Sequence, residues 1–301
     1  MMLRAALADF CALNDVAIVT TRDARLPSLD HAAEIITVQG EPWEVWRRCI
    51  ATTDAALIVA PETGGVLERL NRMVEDAGKL LLGCSSPAVA LTASKITTLN
   101  TFAQHGVRVP ETVYWGTRPP KGDDGYVVKP DDGAGSEDTF FFATAAEFSG
   151  WSPPDIRRTW IAQSYVPGRA MSLSLLCGPG RAAVLTVNEQ LRDREGEVLR
   201  QTGTLVNPSP QPRSAMQGLA DQLVGLLPGL RGFVGVDYIE TGAGPVVLEI
   251  NPRLTTSYVA ASRSLGVNAA QLIVEACLGR GEAMTRTPAS CLWRVEVPHL
   301  A

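Results

Sequence analysis

Apolar and polar positions divide the chain into an alternation of helices and strands followed by a long antiparallel stretch. Residues 3–13 carry apolar side chains at helical spacing, and residues 16–20 and 35–38 are short β-branched runs. Residues 42–50 predict a helix with proline in its first turn, 55–60 a buried strand, 64–77 an amphipathic helix and 80–82 a strand ending at Gly83. This alternation predicts a small parallel sheet with both faces covered. The chain opens on a helix where such a sheet opens on a strand, so the first strand is expected to be missing from the chain as given. Residues 86–109 read as helical, closed by Gly106 and Pro110. Strands are predicted at 125–129, 139–143, 159–165, 171–177, 182–190 and 197–206, helices at 214–227 and 257–279 with a break at Gly266, and a closing strand at 292–297.

Between those last helices, residues 233–258 have the pattern of a hairpin. Two runs rich in Val, Ile, Leu and Tyr flank Thr241, Gly242, Ala243, Gly244 and Pro245. A turn centred on Ala243 sets Asp237 opposite Glu249 and Gly235 opposite Asn251. Side chains two apart share a strand face, so Asp237, Glu249 and Asn251 converge, with open volume expected over Gly235. Val234, Val236, Leu248 and Ile250 are expected on the other, core-facing side. Two carboxylates so close repel unless a cation lies between them, and an oxygen-only donor set suits Mg²⁺ or Mn²⁺. An exposed polar hairpin face is the plainer alternative.

Composition narrows the class. The 301 residues, 46% of them hydrophobic, are enough for two or three subdomains, and the net charge of −5 without a basic run argues against nucleic-acid or membrane-surface partners. Cys11, Cys49, Cys84, Cys177, Cys277 and Cys291 show no paired spacing and read as small buried hydrophobes in a reducing compartment. No segment reads as a signal peptide or a membrane span, so a cytoplasmic location is expected. His31, His105 and His299 lack partners at catalytic spacing and read as structural.

Lys129 ends a strand that leads into Pro130, Asp131, Asp132, Gly133, Ala134, Gly135 and Ser136. Asp138 stands where a third glycine would complete a dinucleotide fingerprint, and no Gly-Lys-Ser/Thr closes a Walker loop. A glycine-rich hairpin remains, whose N–H groups can fold over phosphates within reach of Lys129; an ordinary tight turn is the alternative. Lys95, taken singly, reads as a solvated surface charge.

The ordered set of Lys95, Lys129 with GAGS, QSYVPG, then Asp237, Glu249, Asn251 and Arg253 resembles the ATP-grasp ligases over essentially the whole chain. That resemblance implies a combined α/β and α+β fold, the ATP-grasp fold preceded by a parallel α/β pre-ATP-grasp subdomain. Its subdomains would be residues 1–88, a central unit with a glycine-rich lid at 89–160, and a C-terminal unit at 161–301. It implies that Lys95 and Lys129 hold ATP phosphates, that the backbone of Gln163, Ser164, Tyr165 and Val166 recognises adenine, and that Asp237, Glu249 and Asn251 hold two Mg²⁺ or Mn²⁺ ions. It also implies small-molecule carboxylate and amine substrates and leaves a homodimer open. The chain departs from the family's pattern at Ala170, where a ribose-binding Glu is common, and at Ser94, where an Asp often precedes the lysine.

The implied reaction forms an acyl phosphate at the expense of ATP and then an amide. Phosphoryl transfer needs positioning and cations rather than a protein nucleophile. Arg253 is the expected contact to the acyl or γ-phosphate, with a loop-anchoring salt bridge as the alternative, and Arg200 is a further phosphate candidate. Within the superfamily, ETGGVLERL, KPDDGAGSED and EINPRLTTSYV look like the branch that joins tyramine to the side-chain carboxyl of glutamate in methanofuran-type coenzyme synthesis. Thr255, Thr256, Ser257 and Tyr258 are the expected substrate pocket. A ligase for another amino acid and amine, or an ATP-binding module that joins nothing, stays open, while a carboxylase has little room in 301 residues.

Overall fold

The computed structural model describes residues 1–31, 33–135, 138–208, 213–280 and 291–297. The amino-terminal region runs α1 (Met2–Cys11), β1 (Val19–Asp23), β2 (Glu34–Val38), α2 (Trp43–Thr52), β3 (Ala55–Ala56), α3 (Val66–Asp76) and β4 (Leu80–Leu81). Among the described residues its strands form two parallel pairs, β1 with β2 and β3 with β4, rather than the single covered sheet expected. Residues 57–60, which continue β3 in sequence, are not paired as strand and pack on both sides. Leu57 and Val59 lie against one core cluster and Ile58 and Ala60 against another. Extended chain offers alternate side chains to opposite sides, so this run is wedged between two cores.

The predicted long helix is two, α4 (Ser86–Ala93) and α5 (Lys95–Gln104). Ser94 breaks it: its backbone is extended, and its side chain accepts from the Thr97 N–H as the cap of α5. Lys95 therefore stands at the first position of a helix. Next come β5 (Thr112–Tyr114), β6 (Tyr126–Pro130), β7 (Phe140–Phe142), α6 (Ala145–Gly150) and β8 (Trp160–Ser164). β6 and β7 form the expected antiparallel hairpin, and β8 and β5 extend it on the other side. α6 is set by a capping box between Thr144 and Glu147 and packs its Phe148 under the sheet against Trp115. Neither β5 nor α6 was expected, since three and six residues are too short for a periodicity to show.

The rest of the described chain comprises β9 (Arg169–Gly178), β10 (Arg181–Glu195), β11 (Val198–Val206), α7 (Ser214–Leu226), β12 (Gly232–Thr241), β13 (Gly244–Asn251), α8 (Tyr258–Leu265), α9 (Ala269–Cys277) and β14 (Trp293–Glu296). Antiparallel pairing gives the order β13-β12-β9-β10-β11, with β14 beside β11. This sheet meets the β5–β8 sheet at one pair, Val198 with Phe140, and residues of both line a cleft.

Side-chain alternation then sorts the faces of the larger sheet. Leu173, Leu175, Val234 and Val236 join the cluster under α7. The opposite face is graded along each strand. Leu176 and Phe233 lie beneath α8 and α9, Ser174 and Ser172 follow on β9, and Asp237 follows on β12 toward the cleft. Apolar cover, a band of hydroxyls and a charged end thus share one surface.

Candidate active site

The charged end is built on the β12–β13 hairpin, where Asp237 pairs with Glu249 and Gly235 with Asn251, as expected. The turn is not centred on Ala243. Thr241 pairs with Gly244 around a two-residue turn, and an extra residue, Leu248, bulges between Val247 and Glu249 and restores the expected register at the site. A bulge puts two successive side chains on one side, so Leu248 lines the cleft with Glu249 instead of facing the core with Val236 and Ile250. The space over Gly235 is also taken. A Cβ there would lie 2.5 Å from Thr255 Cγ2 and 3.3 Å from Asn251 Cβ. Gly235→Ala must displace Thr255, whose hydroxyl is 2.9 Å from that of Ser257, and overpacking of this kind costs about 1–3 kcal/mol. Urea unfolding of the variant should show that loss; an unchanged midpoint would mean that Thr255 yields freely.

Both lysines converge on Glu249. Lys95 Nζ lies 3.5 Å and Lys129 Nζ 3.8 Å from Glu249 Oε2, and the two side chains are only 8% and 11% exposed. The surface-charge reading of Lys95 therefore fails. Its ammonium donates to the carbonyls of Asp131 at 3.2 Å and Gly133 at 2.5 Å, and the Asp131 carboxylate accepts from the Ile96 N–H at 2.9 Å. The start of α5 is thus tied to the glycine loop. Burial pushes the Lys129 ammonium down to about 8, with Glu249 opposing and Lys95 adding to the fall. Burial also raises the Asp237 carboxyl, followed by the charge of Glu249. Burial works the same way on Glu249, yet the ammonium groups of Lys95 and Lys129 outweigh it and hold this carboxyl low.

The cleft that holds these charges is also lined by Val127, Val166, Leu199, Ile239 and Leu248. Gln163, Ser164 and Tyr165 line it too, but the buried Gln163 side chain donates to Thr112 Oγ1 at 3.0 Å. The Ser164 and Tyr165 N–H groups are bonded to the carbonyls of Glu111 and Gly125, at 3.0 and 2.9 Å. Of the glycine loop, Gly133 reaches the cleft; Ala134 and Gly135 are described but are not part of its lining, and Ser136 lies outside the described residues, as does His299. Arg158 staples this loop across its base, 3.4 Å from Asp132 and 3.0 Å from Asp138. Asp138 takes φ +53°, the left-handed conformation for which glycine is the ordinary residue.

Other expectations fare differently. Arg200 lines the cleft, where Arg192 joins it. Arg192 lies opposite a bulge at Thr202 in β11, acts on Asp237 and Lys129 through its charge, and bonds the Gln190 side chain. Its signal in the sequence was only a basic residue two positions after a polar one on a strand. Arg253 makes the salt bridge: its Nε is 2.8 and 3.0 Å from the two oxygens of Glu62, and both side chains are buried. Tyr258 is not in a substrate pocket. It is fully buried, with its ring edge-on to Phe233 at 5.4 Å and its hydroxyl beside Asp9 of α1. Ser257 is buried as well, 2.9 Å from Ser174 Oγ, in a hydroxyl band that also includes Thr186. Arg253 and Ser257 carried polar groups toward the core and found partners there, whereas the buried Tyr258 hydroxyl makes no hydrogen bond among the described residues.

Among the described residues no three of His, Cys, Asp and Glu form a metal cluster, and the candidate cation site rests on two carboxylates and one amide. These fit a hard divalent ion. Asp237 and Glu249 face each other with one carboxyl raised by its neighbour's charge, and Asn251 Nδ2 lies 3.5 Å from Asp237 Oδ2, so its amide is within the same volume. Among the described residues no helix is long and apolar enough to cross a membrane.

Comparison with known proteins agrees with this architecture. The ATP-grasp domain family matches residues 92–257 and the pre ATP-grasp 3 domain family residues 16–89. The tyramine–L-glutamate ligase of Methanocaldococcus jannaschii is 31% identical over 204 residues, 68% of this chain. That stretch is 57% of the relative's own length, so the chain spans less than two thirds of it. An ATP-grasp superfamily protein of Archaeoglobus fulgidus superposes with a TM-score of 0.65 at 26% identity, covering 88% of this chain and 74% of that one. The L-amino acid ligase of Bacillus licheniformis shares the fold, with a TM-score of 0.73 at 17% identity over 96% of this chain and 75% of that one. With one family matching the cleft and its hairpin and the other the helix and strand pairs ahead of them, this chain belongs to the ATP-grasp family.

Proposed function

We propose that the chain is an ATP-dependent carboxylate–amine ligase. The observation that carries this reading is the meeting of two buried lysines on Glu249, beside Asp237, in a cleft that is also lined by apolar side chains. A purine suits the apolar lining and a triphosphate the cationic groups. In this reading the subdomains are residues 1–88, 89–160 and 161–301, and the nucleotide lies between the lid hairpin and the larger sheet.

Asp237, Glu249 and Asn251 would hold one or two Mg²⁺ or Mn²⁺ ions, which neutralise phosphate charge when bound. Lys95 and Lys129 contribute fixed positive charge at the phosphates, and Arg192 and Arg200 extend it along the cleft. Lys95 also holds the glycine loop by two carbonyls, so the same ammonium orders the loop and meets the nucleotide. The substrate carboxylate attacks the γ-phosphorus as the bond to the β–γ bridging oxygen breaks. An amine then attacks the acyl carbon, the carbon–oxygen bond to phosphate breaks, and the amine loses a proton. The terminal N–H groups of Arg253 stabilise the oxyanion in both steps.

Glutamate, through its side-chain carboxyl, and tyramine are the substrates we assign, in methanofuran-type coenzyme synthesis, on the strength of the methanogen relative. We assign the reaction to the cytoplasm, where ATP and free amino acids are both supplied. Incubation with ATP, Mg²⁺, glutamate and tyramine should release ADP and give a product of the two masses less one water. Amide formation only with a different amine would correct the substrate. ATP binding without ADP release across a panel of acids and amines would leave a nucleotide-binding module instead.

A further inference from the structure

Glu62 is an acid that the ligase reading leaves without a task. It is 6% exposed, comes from the amino-terminal region, and sits directly before a 3-10 turn at Thr63–Gly65. That turn needs its two glycines: Gly64 has φ +65° and Gly65 φ +70°. It is fastened on its far side to the glycine loop, through Thr63 Oγ1 to the Asp132 carbonyl and the Gly64 N–H to Asp132 Oδ2, both at 3.1 Å. On its near side the Glu62 carboxylate receives Arg253 Nε at 2.8 and 3.0 Å.

The rest of the guanidinium is partly committed. One terminal nitrogen donates to the Leu254 carbonyl at 3.2 Å and the other to Asn251 Oδ1 at 3.3 Å. A guanidinium carries five N–H donors, so one is left on each terminal nitrogen. Both belong to a planar guanidinium whose geometry suits an oxyanion, and the group sits beside the amide of Asn251. We propose that Glu62 is a positioning residue for Arg253: it turns the guanidinium so that its free terminal N–H groups meet the transferring phosphoryl oxygens. The proposal rests on the ligase reading and adds a residue that touches neither substrate nor cation. It also explains why a turn in the amino-terminal region completes a site built on the carboxy-terminal hairpin.

The test uses ADP, Mg²⁺ and fluoroaluminate, a mimic of the phosphoryl group in flight, with ADP and Mg²⁺ alone as reference. It requires no knowledge of the acid or amine. In Glu62→Gln the affinity for the fluoroaluminate complex should fall about 30-fold, as for the loss of an orienting partner, while that for Mg-ADP stays within about twofold. Glu62→Asp keeps the charge a buried guanidinium needs and retracts it by one methylene, so its loss should be intermediate; it carries the test should Glu62→Gln not fold. In an Arg253→Lys background, Glu62→Gln should add less than about twofold, because partners that act through each other are not additive. Equal affinity of wild type and Glu62→Gln for the fluoroaluminate complex, or additive losses, would overturn the proposal. A wild-type protein that fails to bind Mg-ADP at all would instead sink the ligase reading, and with it any oxyanion for Arg253 to meet.

Discussion

Glu249→Gln should lower turnover by roughly 10³-fold while the protein still folds, because the divalent ion that would neutralise the phosphoryl oxygens loses a charged ligand. Glu249 is the point where Lys95, Lys129 and Asp237 meet. An amide keeps its shape but cancels its charge, which weakens the hold on a divalent ion and leaves two buried ammonium groups without their carboxylate. Stripping a buried charge of its partner costs about 3–5 kcal/mol when the charge has no other recourse. Lys129 has one, because burial already brings it down to about 8 and loss of Glu249 lowers it further, so it can shed its proton. Folding should survive at pH 8 and suffer more at pH 6. ADP release, Mg²⁺ titration and urea unfolding measure the three consequences. Normal turnover in this variant would remove the hairpin from the chemistry.

Replacing Lys129 by methionine should change how stability depends on pH. The folded-state value of about 8 lies below the ordinary lysine value of 10.5. Between these limits the unfolded chain binds more protons than the folded one, so wild-type stability from this residue rises with pH, and below 8 the cost of a buried ammonium is felt in full. The span corresponds to about 3 kcal/mol. Cys84, with its thiol pushed up to about 12 by burial, works in the opposite sense above pH 9 and obscures the trend in wild type alone. The difference between Lys129→Met and wild type cancels that contribution. Methionine should gain on wild type by about 3 kcal/mol at pH 7 relative to pH 11. A difference that does not vary with pH would mean that Lys129 is solvated. The result bears on function, since a site that keeps a lysine at such cost is built for an anion.

Much of the site was legible because its parts are close in sequence. The facing of Asp237 and Glu249 followed from strand alternation across one hairpin, although the turn was placed half a residue off and the bulge at Leu248 compensated. The bulge left its own mark, since it moved Leu248 onto the cleft face. Lys129 before a glycine loop was also visible, because strand, lysine and loop are contiguous. Lys95 was legible only through the ordered set of motifs: helical spacing alone puts a first-turn lysine in water, and the glycine-loop carbonyls together with Glu249, from a strand far along the chain, surround it. Tyr258 was misjudged for the converse reason. Its hydroxyl suggested a ligand, whereas the packing of α8 on α1 buries it near Asp9 without a hydrogen bond among the described residues.

By itself, then, the sequence determined the order of the elements, the antiparallel hairpin and which of its residues share a face. Those follow from side-chain period and turn chemistry, which act over a few residues. The tertiary structure alone decided which distant groups meet: Glu62 with Arg253 across 191 positions, Arg158 with both ends of the glycine loop, and Arg192 with Asp237. No local period encodes such pairs. They arise when packing two sheets and their helices buries charged groups together, and each charge then takes the nearest partner that lowers its desolvation cost.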